Sequence, residues 1–263
     1  MIVVEQVHKA FGPKQVLRGV SLQIPEGQTT CIIGKSGCGK SVLLKIIVGL
    51  LLPDQGAVRI DGVPISELGR EQLYQVRRRI GYVFQGAALF DSLTVWENVV
   101  ISLYEHGERR VEVLDSEVRR VLEAVGLIPS VEQVGTAAYE REYALLCARK
   151  PSDLSGGMRK RVGVARALVG SPEYILYDEP STGLDPVTSE QIDHLIRDLQ
   201  QRLGVTSVVI THDMFSVFNV ADRVVMLHDG VVYFEGTVEQ LRASSDPVVQ
   251  EFIERFVAPY QQA

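Results

Sequence analysis

The sequence predicts an α/β protein built on a mainly parallel sheet, with a helical lobe inserted into the chain. Short apolar runs bounded by turn residues indicate strands at residues 2–8, 28–33, 57–60 and 80–84. Helices alternate with further apolar strands at residues 174–177, 207–210 and 223–227, a pattern typical of parallel sheets. Residues 87–153 between the two sets are mostly helical in pattern. The α/β core is therefore expected to be discontinuous in sequence.

The inserted lobe and the C-terminal tail each carry helix signals. Thr94 is a candidate N-cap for the segment VWENVVISL, and residues 115–125 have helical apolar spacing. The tail, residues 238–263, is also predicted to be helical, with one apolar stripe at Val248, Val249, Phe252, Ile253 and Phe256. This stripe requires burial either on its own core or on a partner. Under the partner interpretation, deletion of residues 246–263 leaves the subunit folded.

Composition excludes several classes of protein. The 263 residues include 27 Lys plus Arg and 33 Asp plus Glu, giving a net charge of −6, which argues against a nucleic-acid-binding surface. The basic runs at residues 77–79 and 159–161 lack interleaved aromatics and are predicted to be solvated helix faces, with charge near phosphates. The longest apolar stretch, residues 42–52, is interrupted by Lys45 and is shorter than the ~20 residues of a membrane helix. The three cysteines form no CxxC pair, which indicates reduced thiols and a cytoplasmic protein.

Residues 34–41 carry the strongest chemical signal, GKSGCGKS, between an apolar strand and a helix. Glycines let backbone amides curl around an anion, and the helix N-terminus adds partial positive charge. Lys40 is expected to reach the β- and γ-phosphates, and Ser41 to ligate Mg²⁺. The predicted nucleotide contacts are Gly34, Lys35, Ser36, Gly37, Cys38, Gly39, Lys40, Ser41 and Val42.

Two adjacent carboxylates, Asp178 and Glu179, follow the apolar strand at residues 174–177. Open α/β sheets bind ligands at the carboxyl ends of their strands. Asp178 is therefore predicted to join the Mg²⁺ shell, and Glu179, pointing the other way, to orient or deprotonate an attacking water. His212 follows the strand at residues 207–210 and is expected to reach the same site, although a lone histidine is more often structural.

The sequence LSGGM at residues 154–158 predicts a second anion site. Ser155 can cap the following helix, and Gly156 and Gly157 expose amides at its N-terminus. One ATP does not require both sites from a single subunit. The motif therefore favours a dimer in which each subunit closes on the nucleotide held by its partner; a simple capped helix is the alternative.

The whole chain resembles the nucleotide-binding subunit of an ABC transporter. The family motifs occur in order: residues 34–41 as Walker A, Gln85 as the Q-loop, 154–158 as the signature, 174–179 as Walker B, 183–185 as the D-loop and His212 as the switch histidine. The resemblance implies a P-loop NTPase (RecA-like) core with an antiparallel β subdomain and an inserted α-helical subdomain. It places the ATPase domain at residues 1–237, with the insert at about 87–156.

The same resemblance implies further site residues. Phe11 matches the aromatic that stacks on adenine, and Gln85 would touch Mg²⁺ and report nucleotide state to the membrane subunit. Asp185 would cross the dimer interface near the bound nucleotide. Together with the motif chemistry, this gives Glu179, His212, Gln85 and Lys40 as expected catalytic residues, and Ser41, Gln85 and Asp178 as expected metal ligands.

Three segments are similar to the ATPases of Mla-type systems, which move phospholipids or other lipids with MCE-domain proteins. They are FQGAALFDSLTV at residues 84–95, LSGGM, and SDPVVQEF at residues 245–252. This similarity implies a homodimer, a membrane permease, an MCE-domain protein and an accessory cytoplasmic protein as partners, on the cytoplasmic face of the inner membrane. The segment before the signature, residues 131–151, is longer than the corresponding segment usually is in such proteins.

Other functions remain as alternatives or are excluded. An importer or exporter of another small solute, or a non-transport ABC ATPase, would share these motifs. A GTPase requires an NKxD motif, which the sequence lacks, and no acceptor site for a P-loop kinase is recognised. A single cassette without extended heptads argues against ribosome-associated and chromosome-structure members.

Overall fold

The computed structural model describes residues 1–130 and 133–257, with side chains described through Glu254. Residues 131 and 132 of the long pre-signature segment, the side chain of Phe256 in the tail stripe, and residues 258–263 lie outside the described residues. The described chain forms two sheets, which pack on either side of the first helix, and a helical lobe.

The larger sheet has six strands and is parallel except at one edge. In spatial order it contains β10 (Val231–Gly236), β9 (Arg223–His228), β3 (Thr29–Ile33), β8 (Thr206–Ile210), β7 (Tyr174–Asp178) and β6 (Ile80–Val83). Every residue of β3, β7 and β8 is buried, as expected for central strands covered on both faces. The predicted parallel sheet is confirmed, and β10 adds an antiparallel edge.

The smaller sheet is antiparallel and belongs to the N-terminal quarter of the chain. Its spatial order is β2 (Lys14–Ile24), β1 (Ile2–Phe11), β4 (Gln55–Ile60) and β5 (Val63–Pro64). Residues alternate between buried and exposed along β2 because one face of the sheet packs on the core and the other faces solvent. This sheet is the antiparallel subdomain that the family resemblance implied.

The central sheet buries different side chains on its two faces, since successive strand residues point in opposite directions. Ile32 and Leu176 pack with helix α1 (Lys40–Ile47) and the antiparallel sheet. Ile33 and Tyr177 pack instead with the helical lobe and the C-terminal helices. Helix α1 therefore lies between the two sheets, which places its N-terminus near the carboxyl ends of the central strands.

The helical lobe lies between β6 and β7 in sequence. It contains α3 (Val95–Glu105), α4 (Val111–Ala124), α5 (Ala137–Cys147) and α6 (Gly156–Leu168), while α2 (Arg70–Arg78) precedes β6. Thr94 caps α3 as predicted: its hydroxyl accepts from the Glu97 amide, and the Glu97 carboxylate accepts from the Thr94 amide. Helix α4 begins a turn earlier than the sequence pattern indicated.

The long segment before the signature forms α5, which ion pairs fix to the lobe. Arg119 of α4 bridges Asp115 and Glu140, each at 2.9 Å, and lies over the Tyr143 ring. The hydroxyl of Tyr143 also donates to Asp115. The extra segment is therefore an integral part of the lobe.

The remaining helices complete the second core face. They are α7 (Pro186–Leu203), α8 (Met214–Val220), α9 (Val238–Ala243) and α10 (Pro247–Val257). In α10, Val249 and Phe252 are each only 1% exposed and belong to the same cluster as α8. The described members of the tail stripe thus pack on their own chain. Contrary to the partner interpretation, we expect deletion of residues 246–263 to destabilise the subunit.

Candidate nucleotide-binding site

A cavity of about 670 Å³ opens at the N-terminus of α1, beside the carboxyl ends of the central strands. The loops after β3, β6, β7 and β8 all reach it, as expected for a ligand site in an open α/β sheet. Its lining residues are Phe11, Lys14, Val16, Ser36, Gly37, Gly39, Lys40, Ser41, Val42, Gln85, Glu179 and His212. The cavity therefore gathers side chains from widely separated parts of the sequence, and most of them are predicted site residues.

Two glycines give the loop between β3 and α1 its shape. Gly34 has φ 147°, and a Cβ there would lie 2.3 Å from the carbonyl oxygen of Leu227. Gly39, the N-cap of α1, has φ 106°, and a Cβ there would lie 2.6 Å from a methyl carbon of Leu17. Any other residue would be strained or would clash at either position, so the glycine spacing fixes how the loop meets the helix.

Lys40 places a positive charge within this loop. The residue is 6% exposed, and its Nζ donates to the carbonyl oxygens of Gly34 at 2.7 Å and Lys35 at 3.3 Å. The ammonium adds to the partial charge of the helix N-terminus, so both favour an anion in the cavity. These contacts fit the expected role of Lys40 at the phosphates.

Three predicted contact residues of the loop do not line the cavity. Gly34 and Lys35 instead hold Lys40 through their carbonyls, and the Lys35 side chain pairs with Glu251 of α10 at 3.2 Å. Cys38 is half-buried, and this burial raises the pKa of its thiol. The structure therefore does not place the side chains of Lys35 and Cys38 on the wall of the cavity.

Two of the three residues expected to bind Mg²⁺, Ser41 and Asp178, meet at the end of β7. The Ser41 hydroxyl donates to Asp178 Oδ1 at 3.0 Å, and Asp178 is 8% exposed. Tyr82 of β6, which the sequence did not single out, donates to Asp178 Oδ2 at 3.2 Å. A hydroxyl next to a carboxylate suits Mg²⁺, a hard cation that takes its remaining ligands from phosphates and water. Within the described residues, no cluster of three or more His, Cys, Asp or Glu side chains forms a separate metal site.

Glu179 is the centre of a hydrogen-bonded group at the cavity wall. Its carboxylate accepts from Gln85 Nε2 at 3.2 Å and Thr182 Oγ1 at 2.9 Å, and it lies 3.3 Å from His212 Nδ1. The predicted catalytic residues Glu179, Gln85 and His212 are thus brought together. Gln85 was also expected to bind Mg²⁺, but in this structure it contacts Glu179, whereas the other two expected ligands, Ser41 and Asp178, contact each other.

Glu179 also has an unusual backbone, with φ 49°. The left-handed region is disfavoured for a residue with a side chain, so the surrounding structure must hold it there. This turn directs the Glu179 side chain toward His212 and Gln85, while the preceding Asp178 is directed toward Ser41. The two adjacent carboxylates therefore point to different partners, as predicted from the strand end.

Phe11 is the last residue of β1. It is 49% exposed, lines the cavity, and has Lys9 Nζ 5.7 Å from its ring centroid. An aromatic at the end of a strand often packs in a core, but this ring is open to the cavity and available for stacking on a base.

The signature and D-loop residues lie together away from this cavity. Ser155 caps α6 by accepting from the Met158 amide at 3.2 Å, and Asp185 caps α7 by accepting from the Thr188 amide at 3.0 Å. A Cβ on Gly157 would lie 2.7 Å from Thr188 Cγ2, so the two helix starts are in contact. Ser155, Gly156, Gly157 and Asp185 do not line the cavity. One chain therefore does not join its signature to its own phosphate loop.

Several residues near the site gave no sequence signal. Tyr82 reaches Asp178 only across the folded sheet, Lys14 lines the cavity, and Thr182 donates to Glu179, three residues before it. Lys160 was expected on a solvated helix face with charge near the phosphates. The solvated part of that prediction is wrong: Lys160 is 5% exposed, and its Nζ donates to the Glu179 carbonyl oxygen at 3.3 Å. The error arises because α6 is covered on the side that faces the β7 loop.

Comparison with known proteins agrees with this geometry. A family model described as ABC transporter matches residues 17–182. The chain is 39% identical over 243 residues to the intermembrane phospholipid transport system ATP-binding protein MlaF of Escherichia coli K12, covering 92% of this chain and 84% of MlaF. It is 36% identical over 252 residues to the probable ribonucleotide transport ATP-binding protein Mkl of Mycobacterium leprae, covering 96% of this chain and 68% of Mkl. The chain spans 66% of the Mkl protein of Mycobacterium tuberculosis.

A solved structure supports the same assignment. The dimeric ATP-binding cassette MJ0796, in a post-hydrolysis state bound to ADP and Pi, superposes with a TM-score of 0.76 at 34% identity. The match covers 90% of this chain and 99% of that one. From the family match, the relatives and the shared fold, this chain belongs to the ABC transporter family as an ATP-binding cassette, the subunit that binds and hydrolyses ATP.

Proposed function

We propose that this cassette powers the movement of phospholipid or another lipid across or between membranes. Its role as the ATP-hydrolysing subunit is supported by the cavity at α1, where Lys40, the Ser41–Asp178 pair and Glu179 lie close together. The lipid cargo is supported by the similarity to MlaF and by the Mla-like segments of the sequence. Transport of another small solute is the alternative, and the name of the Mkl relative refers to ribonucleotides.

In the proposed reaction, Lys40 and the amides of the loop bind the β- and γ-phosphates of ATP while Phe11 stacks on the base. Glu179 accepts a proton from a water as the water oxygen attacks the γ-phosphorus, and the bond to the β-phosphate oxygen breaks. His212 and Gln85 orient Glu179 and the phosphate. Ser41 and Asp178, with Gln85, would hold Mg²⁺, which supplies charge neutralisation at the phosphates.

The active form in this proposal is a homodimer with two composite sites. Ser155, Gly156 and Gly157 at the start of α6 and Asp185 at the start of α7 form a partly exposed surface that their own cavity does not use. Exposed amides at a helix N-terminus favour an anion, so a second subunit's γ-phosphate is a suitable ligand. The dimeric MJ0796 structure provides a precedent for cassette pairing.

We also propose that the apolar surface near the Q-loop docks a membrane permease. Tyr74, Phe84, Phe90 and Tyr104 are all at least 38% exposed on adjoining elements. Exposed apolar residues grouped beside a functional loop are typical of interaction sites. Among the described residues no helix is both long and apolar enough to cross a bilayer. The cassette is therefore proposed to sit on the cytoplasmic face of the inner membrane through the permease.

An MCE-domain protein and an accessory cytoplasmic protein complete the proposed assembly, on the basis of the Mla-type similarity, and nucleic acid is not among the proposed partners. Affinity purification of the intact cassette in mild detergent tests the assembly. Recovery of a permease together with an MCE-domain protein would support lipid transport. Recovery of a permease with a soluble-solute receptor would contradict it.

Substitution of Glu179 by Gln tests the catalytic assignment. The variant should bind ATP with parent affinity but hydrolyse it ~10² to 10⁴-fold more slowly, because the amide cannot accept the water proton. It should also accumulate as an ATP-bound dimer, measurable by size-exclusion chromatography with ATP. A turnover number within a few-fold of the parent would show that Glu179 is not the base.

A further inference from the structure

Lys160 is a charged residue in an unusual place. It lies on α6, between Arg159, which is exposed, and Arg161, and it is itself only 5% exposed. Lysines are almost never fully buried unless a partner compensates their charge. Burial lowers the pKa of Lys160, and the negative charge of Glu179 acts in the opposite direction. The charge that compensates Lys160 therefore belongs to the proposed catalytic base.

The contact itself is made to the backbone of Glu179. Lys160 Nζ donates to the Glu179 carbonyl oxygen at 3.3 Å, and the Thr182 amide donates to the same oxygen at 3.3 Å. The Glu179 amide donates to the Ile210 carbonyl oxygen at 2.9 Å. Both backbone polar groups of a residue at φ 49° are thus satisfied, by β8, by α6 and by the local turn. A left-handed backbone at a non-glycine residue persists only when its surroundings hold it. Lys160 supplies one of the three contacts that do so, and the only one of the three that comes from α6.

The location of Lys160 adds a second consequence. Its helix begins at Ser155 and Gly156, the signature residues proposed to bind the nucleotide of the other subunit. Lys160 therefore connects two sites of the proposed dimer. Its helix begins at the residues proposed to bind the partner's nucleotide, and its side chain contacts the backbone of Glu179 at the site of its own subunit. A shift of α6 as the dimer closes would be transmitted to Glu179 through this contact.

We propose that Lys160 is a positioning residue that holds Glu179 in its catalytic orientation and connects that orientation to the signature helix. This inference rests on the proposed function of Glu179 as the base. Lys160 touches neither ATP nor water in this proposal; it acts through the backbone and the charge of Glu179.

Lys160→Met, which removes the charge and keeps a similar length, is the main test. We expect kcat for ATP to fall ~10 to 100-fold, because small misplacements of a catalytic group cost about that much. The dissociation constant for ATP should stay within about twofold, since the phosphate loop is untouched. Lys160→Arg, which keeps the charge and a donor, should restore most of the lost kcat. The matched control is Lys45→Met, at an exposed lysine of α1, and should behave as the parent.

Combination with Glu179→Gln separates the two proposals. If Lys160 acts through Glu179, adding Lys160→Met to the Glu179→Gln variant should change single-turnover hydrolysis by no more than about twofold. Equal losses in both backgrounds, an unchanged kcat in Lys160→Met, or a matching loss of ATP affinity would each overturn the positioning role. If Glu179→Gln retains its turnover, the assignment of Glu179 as the base is overturned. If Glu179→Gln loses turnover but Lys160→Met does not, only the positioning role of Lys160 is overturned.

Discussion

Replacing Asp193 by Asn should make the protein more stable above neutral pH. Asp193 lies on the buried side of α7, is 3% exposed, and its Oδ1 has no hydrogen-bond partner. Burial raises the pKa of this carboxyl to about 6; Ser216 and Asn219 partly offset the rise, as does His194, and Asp213 adds to it. An ionised carboxylate with an unpaired oxygen is costly in such a place, and the amide removes its charge at nearly constant size.

The size of the expected change in the free energy of unfolding follows from the linkage between protonation and folding. The ordinary pKa of the carboxyl is 3.8, and the folded value is about 6. The folded protein therefore binds the proton more tightly, so this group makes stability fall as pH rises between those two values. The full difference corresponds to roughly 3 kcal/mol, at about 1.4 kcal/mol per pKa unit. Between pH 5 and pH 8, this group lowers the free energy of unfolding of the parent by about 1.4 kcal/mol.

Urea denaturation at pH 5, 6, 7 and 8 measures this effect. The quantity to follow is the free energy of unfolding of Asp193→Asn minus that of the parent, because other titrating groups cancel in the difference. We expect the difference to grow by about 1.4 kcal/mol in favour of the variant from pH 5 to pH 8. Asp198→Asn, at an exposed carboxylate of the same helix, is the control and should give a difference that varies little with pH.

A difference between Asp193→Asn and the parent that stays constant over this range would refute the reasoning. It would mean that the Asp193 carboxyl does not titrate with a raised pKa in the folded protein. A difference that grows as pH falls would reverse the sign and would mean that the ionised carboxylate is stabilised by its neighbours.

Three further predictions concern the site and the tail. Mixing Lys40→Ala with Ser155→Arg subunits should restore some ATPase activity that neither variant has alone, because the heterodimer has one composite site with both lesions and one with neither. Tyr82→Phe should weaken Mn²⁺ binding to the ADP complex about fivefold, measured by electron paramagnetic resonance, since Asp178 loses one hydrogen bond that orients it. Phe252→Ala should lower the free energy of unfolding by about 3 to 5 kcal/mol in urea titrations, because the ring is 1% exposed.

Each of these experiments has its own control. Demonstrated heterodimers without recovered activity would argue against composite sites. Tyr177→Phe removes a buried hydroxyl that has no hydrogen-bond partner from the other face of β7, and should leave Mn²⁺ affinity unchanged. Glu254→Ala, at an exposed position of α10, should leave stability nearly unchanged; equal losses at Glu254 and Phe252 would show that the helix does not pack as described.

Features set by short stretches of chain could be predicted from the sequence. Thr94 and Ser155 cap helices because a hydroxyl reaches an amide three residues ahead, whatever the rest of the fold does. The loop at residues 34–41 is similar in part: the positive φ angles of Gly34 and Gly39 belong to its own turn, although Leu227 and Leu17 also leave no room for a side chain there. The carboxylates at residues 178 and 179 end a buried strand, which was enough to predict that both lie at the site, although the direction of Glu179 is set by its turn at φ 49°.

Features set by distant partners could not be predicted in this way. Tyr82 contacts Asp178 only because β6 and β7 are neighbours in the sheet, and Lys160 is buried only because α6 packs over the loop after β7. Strand β2 was missed because half its residues are polar, which reflects its solvent-exposed face. The apolar stripe of the tail predicted which face of α10 is buried, but it did not predict which part of the protein packs against that face.

The position of β3 in the sheet has a consequence for synthesis. This strand, at residues 29–33, lies between β8 and β9, whose residues are made last among the central strands. A nascent chain that ends before residue 206 carries β3 with neither neighbour available, and its phosphate loop has no sheet to support it. Pairing over such sequence separations is slow and leaves apolar strand edges exposed in the meantime. ATP binding is thus expected to begin only after β9 has left the ribosome, so the nucleotide cannot assist the earlier steps of folding.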